Sequence, residues 1–154
     1  MRKIYIILIS IVPILISCQS DTIFRKYYQF DNYQWDKNKN IIFNVNINDI
    51  KSKYDVIIAV RHTSQYPYAN LQINLTFYSP SGQERTKDHN LFLRNNDGSF
   101  KGSVMGNIYD MEFEVLKKIN FTEQGTYKFE INSLMPKYTT PALMDIGLII
   151  KKSK

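Results

Sequence analysis

Apolar and polar residues alternate along most of the chain with the period of β-strands. Leu71, Ile73, Leu75 and Phe77 interleave with Gln72, Asn74, Thr76 and Tyr78. The same pattern runs through Ile41 to Asn48, Ile108 to Val115 and Thr126 to Asn132. A period of two puts one set of side chains on a core face and the other in solvent. The run Tyr54 to Val60 differs, because Val56, Ile57, Ile58, Ala59 and Val60 are all apolar, as in a strand covered on both faces. Phe24 to Phe30, Leu91 to Leu93 and Ile146 to Ile150 read as further strands. Ser79-Pro80-Ser81-Gly82 and Asn95-Asn96-Asp97-Gly98 read as turns. Nowhere do apolar residues keep a helical spacing over three turns. The pattern predicts an all-β fold, an antiparallel β-sandwich of immunoglobulin-like or jelly-roll-like form. The runs Tyr54–Val60 and Leu71–Phe77 are expected to pair at the centre of one sheet, displaying Arg61-His62 and Tyr66-Pro67-Tyr68 between them. Gly125 two residues before Tyr127 marks a strand mouth at which the tyrosine is expected either to bond the backbone just upstream or simply to complete the core.

The N-terminus departs from this pattern. Arg2-Lys3 precede an apolar run, Ile4 to Ile16, that Pro13 interrupts and that is too short to span a bilayer. Leu15-Ile16-Ser17-Cys18 then has the form of a bacterial lipobox, with a small residue before the cysteine where a signal peptidase must approach. Residues 1–17 are therefore expected to be a lipoprotein signal peptide, residues 18–22 a lipidated tether, and residues 23–154 the sandwich domain. Acyl chains on Cys18 would hold the protein on a membrane, at about 0.8 kcal/mol for each buried methylene. Cys18 is the only cysteine, so its acylation leaves no thiol for a disulfide, a nucleophile or a metal.

Charge and composition narrow the chemistry. Without Arg2 and Lys3, 18 basic residues face 14 acidic ones, interspersed without a block of one sign. Such a surface lacks the basic stripe of a nucleic-acid-binding protein, and no nucleic-acid partner is expected. A catalytic reading needs a nucleophile with its base, a carboxylate pair or a metal cluster. His62 and His89 stand far apart, neither has a ligand-spaced neighbour, and a zinc site of His62, His89 and Asp88 finds little support. No phosphate-binding loop is present. No catalytic residue, metal or cofactor is therefore expected. Tyrosine is the unusual component, with 11 in the chain. Trp35, Arg61, His62, Tyr66, Pro67 and Tyr68 form the candidate interaction surface. They suit either a protein interface or a sugar-stacking platform, while the rings could equally complete the core.

Several motifs fall in one order along the chain. They are the lipobox ending at Cys18, a tyrosine-rich entry to Trp35, Val60-Arg61-His62, Tyr66-Pro67-Tyr68 and Asn70-Leu71. After them come Asp97-Gly98, Gly102, Gly106, Gly125-Thr126-Tyr127, Met135-Pro136, Leu143 and Ile146-Gly147-Leu148. In this order the chain resembles the gliding-motility lipoprotein GldH family of Bacteroidetes. The resemblance implies a non-enzymatic envelope lipoprotein that works among other lipoproteins and a secretion and motility apparatus. It implies anchoring in the outer membrane, and the want of an acidic run at Gln19-Ser20-Asp21 favours the periplasmic face. Asp21-Thr22-Ile23 resembles the O-glycosylation triplet of that phylum, which makes Thr22 a candidate for modification. A carbohydrate-binding module on the envelope is the alternative reading, with glycan as ligand.

Overall fold

The computed structural model describes residues 21–154. The expected signal peptide, residues 1–17, and the expected lipid site, Cys18, lie outside the described residues. Eleven strands follow in order: β1 (Thr22–Gln29), β2 (Gln34–Asp36), β3 (Ile41–Ile47), β4 (Tyr54–Thr63), β5 (Asn70–Tyr78), β6 (Glu84–Phe92), β7 (Ser103–Met105), β8 (Ile108–Ile119), β9 (Gly125–Ser133), β10 (Thr139–Pro141) and β11 (Leu143–Lys152). They form a five-stranded sheet in the order β1-β11-β4-β8-β7 and a four-stranded sheet in the order β3-β9-β5-β6. A small ribbon pairs β2 with β10. All pairings are antiparallel, and the two large sheets pack as the expected sandwich.

Periodicity becomes packing in a direct way. In β3, Ile41, Phe43, Val45 and Ile47 are buried and the residues between them exposed. In β9, Tyr127, Phe129 and Ile131 are buried and the residues between them half-buried. Each fully buried aliphatic or aromatic side chain contributes about 1.5–3 kcal/mol relative to exposure. Aromatic rings fill both ends of the core. Phe121 meets Tyr54, Tyr127 and Phe77 at one end, and Phe30 stacks on Trp35 at 5.3 Å towards the other.

The two central runs do not pair with one another. β4 lies between β11 and β8, and β5 lies between β9 and β6 in the opposite sheet. Residues 64–69 therefore cross from one sheet to the other. The pattern reported how many faces of each run are covered, not which strand lies beside it. Each run is central, but in its own sheet.

β4 is covered on both faces, as its unbroken apolar run requires. Its outward residues Ile57 and Ala59 pack with Ile149 of β11 in a small cluster of their own. Charged side chains roof this cluster. Arg25 of β1 reaches Glu112 of β8 at 2.9 Å, although β11 and β4 lie between their strands. Lys151 of β11 reaches Glu114 at 3.0 Å over β4.

β6 is longer than the three residues its apolar positions suggest. Its inward register places Leu91, His89, Lys87 and Arg85 opposite Leu71, Ile73, Leu75 and Phe77. Inward-pointing charge on an edge strand discourages pairing with another chain, and it also hides the strand from a hydrophobic pattern.

Candidate functional site

The segment 61–68 separates into an inner and an outer part. His62 is fully buried, stacked on Tyr109 at 5.4 Å and 8° and packed against Phe100 at 4.6 Å and Tyr66 at 5.2 Å. Its Nδ1 lies 2.9 Å from the Thr63 carbonyl, and its Nε2 has no partner among the described residues. Burial pulls the imidazole below its ordinary value, and the nearby Arg94 charge adds to the shift. Tyr66 is 1% exposed and donates its hydroxyl to the Asn70 carbonyl at 3.0 Å, pinning the crossing segment. Arg94 closes this end. Its guanidinium lies 3.6 Å from the Phe100 centroid and donates to the carbonyls of Tyr66, Tyr68 and Gly98.

Three candidates for an exposed surface are thereby corrected. Trp35 is fully buried, with its indole N–H donated to the Lys39 carbonyl at 2.8 Å, so the ring offers no platform to a sugar. His62 and Tyr66 are core residues, because a crossing between sheets must bury something to hold its course. Pro67 is exposed, and Tyr68 is half-buried with its ring edge-on to Tyr66 at 5.6 Å. Thr22 is half-buried at the start of β1, opposite Lys151. His62 and His89 lie on opposite sheets, and no group of three or more metal-ligating side chains occurs among the described residues.

Arg61 points the other way, onto the outer face of the five-stranded sheet. Its Nε donates to Asp110 at 2.6 Å and its Nη1 to Asp145 at 3.3 Å. Asp110 and Asp145 are its direct cross-strand neighbours in β8 and β11. A bulge at Met144 creates this arrangement. Leu143 pairs with inward-facing His62, and Asp145 pairs with outward-facing Arg61, so the extra residue reverses the face on which Asp145 emerges. Ala142, just before it, holds φ at 62° and accepts a hydrogen bond from the Thr63 N–H at 2.9 Å.

A recess of about 270 Å³ opens beside these groups, lined by Tyr27, Arg61, Ser103, Asp110, Glu112 and Asp145 among others. Two glycines shape it. Gly147 lies under the Tyr27 ring, and Gly102 lets its segment lie against the Asp110 carbonyl, where an added Cβ would come within 2.2 Å. Asp145 is 3% exposed, and its Oδ1 has no hydrogen-bond partner among the described residues. Burial pushes its carboxyl above the ordinary carboxylate value, against the pull of Arg61. The hydrogen bond from Arg61 to Asp110 holds the guanidinium above its own usual value. Arg61 stands among the candidates legible in the sequence, and neither carboxylate does. The one available signal was an aspartate standing alone in the apolar run from Leu143 to Ile150.

The GldH lipoprotein family model matches residues 22–150, nearly the whole of the described chain. The chain belongs to the GldH lipoprotein family. Two curated relatives carry the family name. The gliding motility lipoprotein GldH homolog of Christiangramia forsetii is 24% identical, covering 99% of each chain. The gliding motility lipoprotein GldH of Flavobacterium johnsoniae is 25% identical over 81% of this chain and 77% of its own. Solved structures give weaker likenesses. TmCBM61, solved with β-1,4-galactotriose, is 13% identical with a TM-score of 0.30, over 75% of this chain and 61% of that one. The infectious bursal disease virus Gx strain structure is 16% identical with a TM-score of 0.38, over 82% of this chain and 32% of that one. Neither bears on what this GldH family member binds.

Proposed function

We propose that this GldH family member is a non-catalytic docking component of the gliding motility machinery and its associated secretion apparatus. On this reading Cys18 carries the lipid, the anchor lies in the outer membrane, residues 18–22 are the tether, and the sandwich of residues 23–154 faces the periplasm. The names of the relatives support the gliding role, and the lipobox supports the anchor. The observation that carries the docking role is the Arg61 recess, an ordered charged hollow on a sheet face whose surroundings are otherwise closed by ion pairs.

The glycan-binding alternative loses its main support with the burial of Trp35. Tyr66, buried as a structural pin, is a poor site for testing docking, since its removal would disturb the fold. Ser103 is exposed and lines the recess, so Ser103→Trp would fill the hollow while leaving its ion pairs in place. Crosslinking in gliding cells, followed by capture of the tagged lipoprotein, should recover other envelope components of the apparatus with the parent protein. Folded Ser103→Trp protein should lose them. An unchanged set of apparatus components with that variant would remove the docking role of the recess.

A further inference from the structure

The charges around the recess do not close among themselves. Asp110, Glu112 and Asp145 bring three carboxylates, and Arg61 and Arg25 bring two guanidiniums to pair with them. Arg25 is committed to Glu112 at 2.9 Å, and Arg61 places its short bond on Asp110. Asp145 receives only the longer contact of 3.3 Å, on Oδ2. Its other oxygen is buried and has no partner among the described residues, and the Asp145 side chain lines the hollow. A buried carboxylate with an empty acceptor position is costly, and its raised titration reflects that cost.

We propose that the recess seats the ammonium of a lysine side chain from a partner protein, with Asp145 Oδ1 as its acceptor. This assignment rests on the docking reading above and names the chemistry of the occupant. A single free oxygen suits a compact ammonium better than a guanidinium, which binds best to both oxygens of one carboxylate. Asp145 has already turned Oδ2 to Arg61 and cannot offer both. A metal ion is a poorer occupant, since no group of three metal-ligating side chains occurs among the described residues. The Tyr27 ring on the rim is 42% exposed and can cover the aliphatic stem of a lysine. Position favours a protein over a lipid headgroup. β1 begins at Thr22 beside the tether, and five residues of strand, on the order of 17 Å, separate it from Tyr27 at the recess.

The full-length lipoprotein in detergent micelles, titrated with Nα-acetyl-lysine methylamide, tests the assignment. Its Nε-acetylated form, neutral at the same position, is the control. NMR signals of the Asp145 carboxyl carbon and the Ser103 amide should shift saturably with millimolar affinity. The neutral probe should bind at least tenfold more weakly, and Asp145→Asn should lose the response. Should that variant fold poorly, Ser103→Lys supplies an ammonium in cis, which should lower the Asp145 titration midpoint and block the probe. Equal shifts from both probes, shifts that persist in Asp145→Asn, or no saturable shift would each overturn the assignment. The arms separate the two readings. Apparatus partners lost from Ser103→Trp with no lysine response would leave the docking role standing and remove the ammonium. A lysine response with an unchanged partner set would do the reverse.

Discussion

The ring of Tyr27 lies on Gly147, where an added Cβ would come within 2.6 Å of two ring carbons and 3.1 Å of the Ala59 methyl. The two residues are cross-strand partners in β1 and β11. The glycine lets the ring lie flat on the sheet, and the ring covers backbone that the glycine leaves bare. Tyr27 also accepts a hydrogen bond from Arg25 at 3.0 Å, which ties the ring to the Arg25–Glu112 bridge. Gly147→Ala should displace the ring and cost about 1–3 kcal/mol, the usual penalty for overpacking. Urea denaturation of Gly147→Ala, Tyr27→Ala and the double variant measures the coupling. The alanine should cost much less once the ring is gone, and fully additive losses would show that the ring is not what Gly147 accommodates.

Asp145 and the exposed carboxylates should respond to pH in opposite senses. Burial raises Asp145, so its contribution favours folding below the unfolded value of about 3.9 and is lost as pH rises through the folded value. Glu114 is held down to about 2 by hydrogen bonds from Lys117 and Lys151, and Asp49 is lowered chiefly by Lys152. Their contributions are present above the unfolded carboxylate range and disappear as pH falls through the lowered values. Asp145→Asn removes only the first effect. Measured by urea denaturation from pH 3.5 to 7, its stability relative to the parent should rise with pH. A difference that is flat or falls would contradict the burial argument.

The sequence made some of this legible and hid the rest for identifiable reasons. Ile41, Phe43, Val45 and Ile47 alternate because one face of β3 is core and the other is water, so the strand can be read without neighbours. β6 cannot be read that way, since Arg85, Lys87 and His89 occupy its inward register. The partners of β4 were not legible, because period two reports covered faces and leaves pairing to the loops. Asp145 was hidden by the bulge at Met144. Counting by twos from Leu143 would put it inside the core, and only the extra residue turns it out to Arg61. Trp35 looked like a surface ring because its strand is three residues long, too short to show a burial pattern.

Three buried tyrosines each hold a nearby turn. Tyr54 donates to the Asp49 carbonyl at 2.6 Å, Tyr66 donates to the Asn70 carbonyl at 3.0 Å, and Tyr127 accepts from the Glu123 N–H at 3.1 Å. The expected tyrosine corner at Tyr127 is therefore present, with the hydroxyl as acceptor. Tyr66→Phe should cost about 0.5–1.5 kcal/mol, the net value of one hydrogen bond. Tyr66→Ala should cost about 3–5 kcal/mol, since it also opens a cavity beside His62. Thermal unfolding of the two variants separates the contributions. Equal losses would mean that the ring does not fill the crossing.

Arg94 should not be replaceable by lysine. Its planar group lies on Phe100 while donating to three carbonyls, which an ammonium cannot reproduce from one position. Arg94→Lys should leave the sheets intact and loosen the segment that returns over His62. Hydrogen exchange reads this locally. The amides of Gly98 and Lys101, bonded to the carbonyls of Asn95 and Leu93, should exchange at least tenfold faster, while those of β4 and β11 keep their protection. Unchanged exchange at Gly98 and Lys101 would show that the loop holds its shape without Arg94.

His62 should set part of the acid limit of the fold. Its ring is enclosed by Tyr66, Phe100 and Tyr109, with Arg94 and Asp110 as the charged groups acting on it. Protonation would add a charge and a second N–H at a ring whose Nε2 has no acceptor. A base whose folded value is lowered favours folding above its unfolded value near 6.5, and the advantage is lost as pH falls through the folded value. His89, half-buried and also lowered, contributes in the same direction from β6. His62→Phe keeps a ring in place but gives up the contact with the Thr63 carbonyl. At pH 8 the variant should therefore be less stable than the parent by about 1 kcal/mol. That deficit should shrink between pH 6.5 and 5, because only the parent must bury a proton there. A deficit constant across this range would assign the acid limit to other groups, with His89→Phe the next variant to measure.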